Sequence, residues 1–187
     1  INLLMGLKTP LIIVNFKTYK SATGRNAEQL AKICEKVAKQ TKINIAVAVQ
    51  DADIYRVSHT VKIPVLSEHM DPIGYGAHTG HVLPEDIKAN GAKGSLLNHS
   101  EDRFKIDDLE KSLNIAKKLI DSASDAGFDA VKFQKRNPDV CVPEHQKSVM
   151  RDTPWGKMTY LEYKYKVEFG QNDYDEIDKY CQKREID

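Results

Sequence analysis

Short runs of β-branched and aliphatic residues alternate along this chain with segments whose apolar positions recur at helical spacing, the pattern of βαβ units and a parallel sheet. Pro10 to Phe16 is apolar almost throughout, as a strand buried on both faces requires. Ala27, Leu30, Ala31, Cys34, Val37 and Ala38 then share one helix face at i, i+3, i+4, i+7 spacing. A second buried strand is predicted at Ile43 to Val49, with Asp51 placed to cap the short helix after it, and a third at Ile63 to Leu66. From Asp71 to Leu83 three glycines and no apolar period predict a long loop, a length that goes with function in compact domains. Pro84 suits the first turn of the next helix.

Gly94 to Leu97 reads as a fourth strand, ending in Asn98-His99-Ser100-Glu101. Leu109, Leu113, Ala116, Ile120 and Ala123 form the stripe of an amphipathic helix; Gly127 marks its end, and Ala130 to Phe133 is a fifth strand. Lys135 to Gly170 carries prolines at 138, 143 and 154 and no sustained period, which predicts an extended excursion. A last helix is expected at Tyr174 to Lys183, capped by Asn172 or Asp173, with Tyr174, Ile177 and Cys181 on one face. The chain reaches Glu185-Ile186-Asp187 where another strand would begin. The opening Ile1 to Leu7 is apolar but too short to span a bilayer and lacks a basic flank and cleavage site, so it is read as an extension leading into the first strand. The expectation is one α/β domain over residues 1–187, a parallel βα-repeat of about five strands.

Composition narrows the function. Lys plus Arg (28) nearly cancels Asp plus Glu (27), and neither sign forms a long run, which argues against nucleic acid and an anionic membrane as partners and for a small molecule. Cys34, Cys141 and Cys181 are an odd number without CxxC spacing, which fits free thiols in a reducing, cytoplasmic setting. The six histidines show no paired ligand spacing, so neither a metal nor any other cofactor is expected.

Two features carry candidate chemistry. Lys17, in Asn15-Phe16-Lys17-Thr18-Tyr19, comes just after the C-terminal end of the first strand, where a lysine can meet an anionic substrate or simply project into solvent. His99, between Asn98 and Glu101 at the end of the fourth strand, can polarise a carbonyl oxygen or serve structure alone.

The segments NFKTY, DPI with GAHTGH, LPED and GAKGSLLNHSE stand in the order and approximate spacing of archaeal triosephosphate isomerase, and residues 8–112 resemble the first half of that family. The resemblance implies a TIM-barrel architecture, here partial, since 187 residues fall short of the roughly 250 of a complete (β/α)₈ barrel. It implies a small phosphorylated metabolite as partner, with glyceraldehyde 3-phosphate and dihydroxyacetone phosphate interconverted by ancestry. It further implies Asn15 and Lys17 as the substrate-binding pair, with Lys17 also counted catalytic, His99 as catalytic electrophile and Glu101 as the acid beside it. The loop Asp71 to His81 resembles the family's subunit-contact segment, which implies a homo-oligomer. In that enzyme a neutral His at a helix N-terminus polarises the carbonyl while a Glu moves the proton. The family's Glu sits on a Glu-Pro segment near strand six, with a Gly-rich phosphate-gripping turn beyond it, and neither motif occurs after Arg103. Proton abstraction beside a carbonyl needs a positioned carboxylate, which contributes ~10²- to 10⁴-fold. Glu162 and Glu168 stand in unrelated sequence, so the catalytic set is expected to be incomplete.

The remainder has a second resemblance. Asp129-Ala-Val-Lys-Phe-Gln134, Pro143-Glu-His-Gln, Arg151-Asp-Thr-Pro-Trp-Gly156, Thr159-Tyr-Leu-Glu-Tyr163 and Tyr174 to Tyr180 look like the early part of an N-acetylneuraminate (sialic acid) synthase, over residues 113–187. That resemblance implies Lys132 and Gln134 as ligands of phosphoenolpyruvate; His145 matches none of the family's metal ligands. Trp155, Tyr160, Tyr163 and Tyr165 are read as packing for the excursion rather than as a sugar platform. The join falls inside a helix shared by both families, around Lys105 to Ala126. Three readings are open: an isomerase-derived partial barrel, a synthase-like fragment that binds phosphoenolpyruvate, and a chimeric scaffold without turnover.

Overall fold

The structure is a computed structural model and describes residues 7–102 and 109–187. Ile1 to Gly6 of the expected extension, the helix opening at Lys105 and the Leu109 side chain lie outside the described residues. The order is β1 (Leu11–Asn15), a short 3₁₀ turn (Lys20–Ala22), α1 (Arg25–Thr41), β2 (Asn44–Val49), α2 (Asp51–Ser58), β3 (Val65–Ser67), α3 (Pro84–Ala89), β4 (Gly94–Leu97), α4 (Leu109–Asp125) and β5 (Ala130–Phe133). Then come α5 (Pro138–Cys141), α6 (Glu144–Lys147), the strands β6 (Met150–Thr153) and β7 (Gly156–Thr159), α7 (Tyr160–Val167) and α8 (Gln171–Lys183).

Among the described residues β1 to β5 form a parallel sheet in sequence order, and β6 and β7 pair separately as an antiparallel hairpin. This is the expected α/β partial barrel. Alternation along each strand separates two faces. On one, Ile45, Val47 and Val49 of β2 join Ala27 and Ala31 of α1, Ile54 and Val57 of α2 and Ala116, Ile120 and Ala123 of α4 in the main core. Burying one such Ile, Val or Leu side chain contributes roughly 1.5–3 kcal/mol. On the other, concave face the layer is thin and its residues small: Ala46, Ala48, Leu66 and Leu96, with Leu7, Leu11 and Ile13 against them.

Several local expectations shift. Val37, assigned to the apolar face of α1, is 40% exposed, whereas Cys34 is buried. Asp51 does not cap α2. It is the first helical residue, Gln50 precedes it without a side-chain cap, and the Asp51 carboxylate accepts the Ser67 hydroxyl at 2.6 Å. Neither Asn172 nor Asp173 is the cap residue of α8, which begins after Gly170, although Asp173 Oδ2 does accept the Gly170 N–H at 2.7 Å. The excursion is not merely extended. α7 opens with a reciprocal box, Thr159 Oγ1 accepting the Glu162 N–H at 3.2 Å and Glu162 accepting the Thr159 N–H at 2.8 Å. The Thr-x-x-Glu spacing that encodes it was legible in the sequence. No helix among the described residues is long and apolar enough to cross a membrane.

The two edges of the sheet differ. β1 pairs with β2 alone among the described strands, and its Ile12 is 51% exposed. Beside β5, Val131 N–H donates to Asp187 O at 2.7 Å and Asp187 N–H to Asp129 O at 3.3 Å, the two bonds of a parallel bridge. Ile186, just before it, is buried. The strand expected near residues 185–187 thus contributes one rung.

β4 and β5 meet without room for a side chain at Gly94, where an added Cβ would lie 2.1 Å from Ala130 O and 3.1 Å from Leu66 Cδ2. Backbone cannot yield as a flexible side chain can. Gly94→Ala is therefore expected to destabilise the protein by at least the ~1–3 kcal/mol typical of overpacking, read as a fall in the urea midpoint.

Candidate functional site

The parallel sheet brings the C-terminal ends of its strands to one rim, and the residues just beyond them line a cleft of about 760 Å³. Asn15, Lys17, Gln50, Asp51, Glu68, His69, His99 and Glu101 all face it. Asn15 ends β1 and receives the Lys17 N–H on its side-chain oxygen at 3.1 Å, closing a tight turn. The turn holds Lys17 at φ 54°, and Asn98, at the end of β4, has φ 50°. Left-handed non-glycine backbone of this kind costs of order 1–3 kcal/mol and clusters at functional sites.

That turn carries the Lys17 ammonium across the rim to Glu101 Oε1 at 2.7 Å. The other Glu101 oxygen lies 3.7 Å from His99 Nδ1. Lys17, His99 and Glu101, singled out from the sequence, are thus one connected group with Asn15 beneath it. The hydrogen bond from Lys17 draws the Glu101 carboxyl below its ordinary range, and the same bond holds the lysine above its own. His99 behaves differently. Its side chain is only 16% exposed, and burial pushes its pKa down, aided by the charges of Lys132, Lys17 and Arg136 against the opposing pull of Glu101. A neutral imidazole results near pH 7. The Glu101 N–H donates to Nδ1 at 3.4 Å, a contact that assigns the proton to Nε2 and leaves that nitrogen as donor.

β5 adds a second side to the rim. Lys132 is in register with Leu96, a member of the concave layer, so it lies on the concave face. Burial lowers its pKa, with the Arg136 charge adding to the effect, and among the described residues it has no ion-pair partner. Gln134 has a different post: its Oε1 accepts the Ser100 N–H at 3.0 Å and its backbone carbonyl accepts the Tyr174 hydroxyl at 2.9 Å. Arg136 Nη2 donates to Ser100 Oγ at 2.6 Å. Gln134 and Arg136 therefore tie the β4 loop to the β5 loop.

Sequence reasoning missed Gln50, Glu68 and His69. Each lies just past a strand end, and the rule that strand C-termini carry the chemistry of such sheets would have nominated them. His69 lies between Asp71 and Asp102, at 3.3 and 3.4 Å. Glu68 is a partly buried carboxylate whose pKa is raised by burial, against the Lys17 backbone N–H and the Gln50 side chain that face it. Its Oε1 is shielded from water and has no hydrogen-bond partner among the described residues. Leaving such a group unpaired typically costs ~1–3 kcal/mol. Among the described residues no group of three or more His, Cys, Asp or Glu is arranged to hold a metal ion. The aromatic residues of the excursion lie apart from the cleft: Lys166 sits 5.2 Å from the Trp155 ring centre, and Tyr160 stacks on Tyr163 at 6.5 Å. A second hollow of equal volume lies at the opposite end of the sheet, lined by Leu11, Ile45, Val65 and several lysines. It has no convergent acid, base and imidazole, so the chemistry singles out the rim.

The family model described as Triosephosphate isomerase matches residues 10–150. That described as NeuB family matches residues 119–187, so the two overlap between 119 and 150. The triosephosphate isomerase of Methanobacterium bryantii is 50% identical over 112 residues, which are 60% of this chain and 50% of that protein. That of Methanothermus fervidus is 53% identical over 110 residues, 59% of this chain and 48% of that protein. The chain thus spans about half the length of the curated relatives it matches. A crystal structure of triosephosphate isomerase from Bartonella henselae superposes with a TM-score of 0.55 at 20% identity, over 70% of this chain and 53% of that one, a likeness of fold.

The charge pattern around His99 predicts how it titrates. Its imidazole resonances are expected to titrate below the ordinary histidine range by NMR. Glu101→Gln should move that pKa further down and Lys132→Met up, since the first removes an anion and the second a cation. Because the folded pKa is depressed, the linked stability is full above the unfolded histidine value and falls as pH drops through the folded one.

Proposed function

Since the chain belongs to the triosephosphate isomerase family, we propose that its rim binds a small phosphorylated metabolite of the triose phosphate class. Lys17 supplies charge for the anionic substrate, Asn15 fixes the turn that presents that lysine, and the Nε2–H of His99 polarises the carbonyl. Glu101 holds the ammonium and the imidazole in place. The observation that carries this reading is the Lys17–Glu101–His99 connection, with Lys17 to Glu101 at 2.7 Å and Glu101 to His99 at 3.7 Å. The family's usual base segment and phosphate-gripping turn have no counterpart in the sequence after Arg103, so the site is read as a binding site with an incomplete catalytic set. Residues 8–112 and 113–187 are read as parts of two families within one α/β unit, the join lying near the shared helix.

A second reading is supported by the NeuB match over residues 119–187 and by the half-buried Lys132 on the concave face: phosphoenolpyruvate binds through that lysine, a cation lacking an ion-pair partner among the described residues. Self-association belongs to either reading, because exposed Ile12 and the unpartnered side of β1 are surface that another copy would cover.

Saturable binding of 2-phosphoglycolate, weakened about tenfold or more by Lys17→Met, is the expected outcome of calorimetry, since a hydrogen bond to a charged group contributes ~1.5–3 kcal/mol. Interconversion of glyceraldehyde 3-phosphate and dihydroxyacetone phosphate, if measured, should vanish in His99→Ala. Phosphoenolpyruvate binding that disappears in Lys132→Ala, with 2-phosphoglycolate ignored, would instead favour the second reading. Light scattering is expected to give a mass above that of one chain.

A further inference from the structure

We infer that Glu68 is the proton-transferring carboxylate of this cleft, the base that takes a proton from the carbon beside the carbonyl which His99 polarises. The inference rests on the isomerase reading of the same rim and supplies the group that reading lacks. Glu68 comes directly after β3, its N–H tied to Val49 O at 3.2 Å, so it occupies a fixed place between the β1 and β4 ends that carry Lys17 and His99. It lines the same cleft as both. Its carboxylate is faced by the Lys17 backbone N–H and the Gln50 side chain, yet Oε1 is left without a donor. That imbalance is the telling feature. A structural carboxylate of the rim, such as Asp51 or Glu101, has a hydroxyl or an ammonium on it. Glu68 has an oxygen in reserve, and rotation about its last side-chain bond, a soft torsion, presents that oxygen to the cleft.

Its surroundings suit a base as well. Burial, and the negative charges of Asp51 from α2 and Glu101 from the β4 loop, hold its affinity for protons above that of an ordinary carboxyl. Lys17 and His69 are the basic groups nearest in the cleft wall. A stronger base at the working pH abstracts a carbon-bound proton more readily. In the step itself, the C–H bond of the substrate breaks and the proton goes to a Glu68 oxygen. The electron pair forms the carbon–carbon double bond, and the carbonyl π pair moves onto oxygen, held by the His99 Nε2–H. Return of the proton from Glu68 to the neighbouring carbon completes an isomerisation; return of a solvent deuteron to the same carbon gives exchange without net reaction.

Deuterium exchange into dihydroxyacetone phosphate in D₂O, monitored by NMR on the full chain, reads this half-reaction directly. Expected are exchange by the unaltered protein, a loss of at least a hundredfold in Glu68→Gln, and a smaller loss in Glu68→Asp, which keeps the carboxylate and guards against a misfolded variant. Binding of 2-phosphoglycolate should stay within a few-fold in both. The exchange rate should rise with pH through a single inflection above the ordinary carboxyl range, and that inflection should be missing from Glu68→Gln. Exchange undiminished in Glu68→Gln overturns the assignment, as does a protein that binds 2-phosphoglycolate without exchange. Failure to bind 2-phosphoglycolate at all is the distinct signature of a wrong isomerase reading, and the assignment falls with it.

Discussion

The contact between β4 and β5 is the one on which the rest depends. Gly94 lets the Ala130 carbonyl come where a side-chain carbon would otherwise stand, and the ladder that begins there runs through Leu96 paired with Lys132 to Leu97 paired with Phe133. The strands before β4 are laid out as in the first half of an isomerase, and the residues beyond β5 carry the second resemblance. Pairing in register at this one place sets Lys132 on the same concave face as the inner residues of the earlier strands, and it brings Gln134 and Arg136 to within hydrogen-bond reach of Ser100. Two sets of residues with separate ancestry thereby share a rim.

The electrostatics of that rim depend on where water reaches. Lys17 and Glu101 are open enough to remain charged and adjust to one another, and their bond adds little to stability because solvent screens it. His99 and Lys132 are drawn further in. There, losing water costs the charged form more than a lone carboxylate restores, and both shift toward neutrality. The result is a division of labour by depth: fixed charges outside, groups of adjustable protonation inside.

Much of this was legible in the residues. The strand and helix order is written in the alternation of apolar runs with helical stripes, and Asn15, Lys17, His99 and Glu101 are marked by their motifs at strand ends. What escaped had physical reasons. Asp51 looked like a helix cap because the sequence names neighbours along the chain only, whereas its hydrogen bond goes to Ser67 on the next strand. Gln134, nominated as a ligand, is held by Ser100 and Tyr174, partners far from it in sequence. Glu68 drew no attention because nothing in its neighbours records an oxygen left without a donor; that is a property of the assembled cleft. The excursion hid a helix because its eight residues are too few to show a period, though the Thr159 and Glu162 pair marked its start.

The strand order bears also on how such a chain acquires its shape. Each strand of the sheet pairs only with the strands next to it in sequence, so every pairing closes the shortest loop available, and loop-closure entropy stays small at each step. Contact order is kept down, and the sheet is able to grow one βα unit at a time as the polypeptide leaves the ribosome, every new strand docking on an edge that is already formed. The backbone of Asp187, bonded across to Val131 and Asp129, is the latest rung of that vectorial growth.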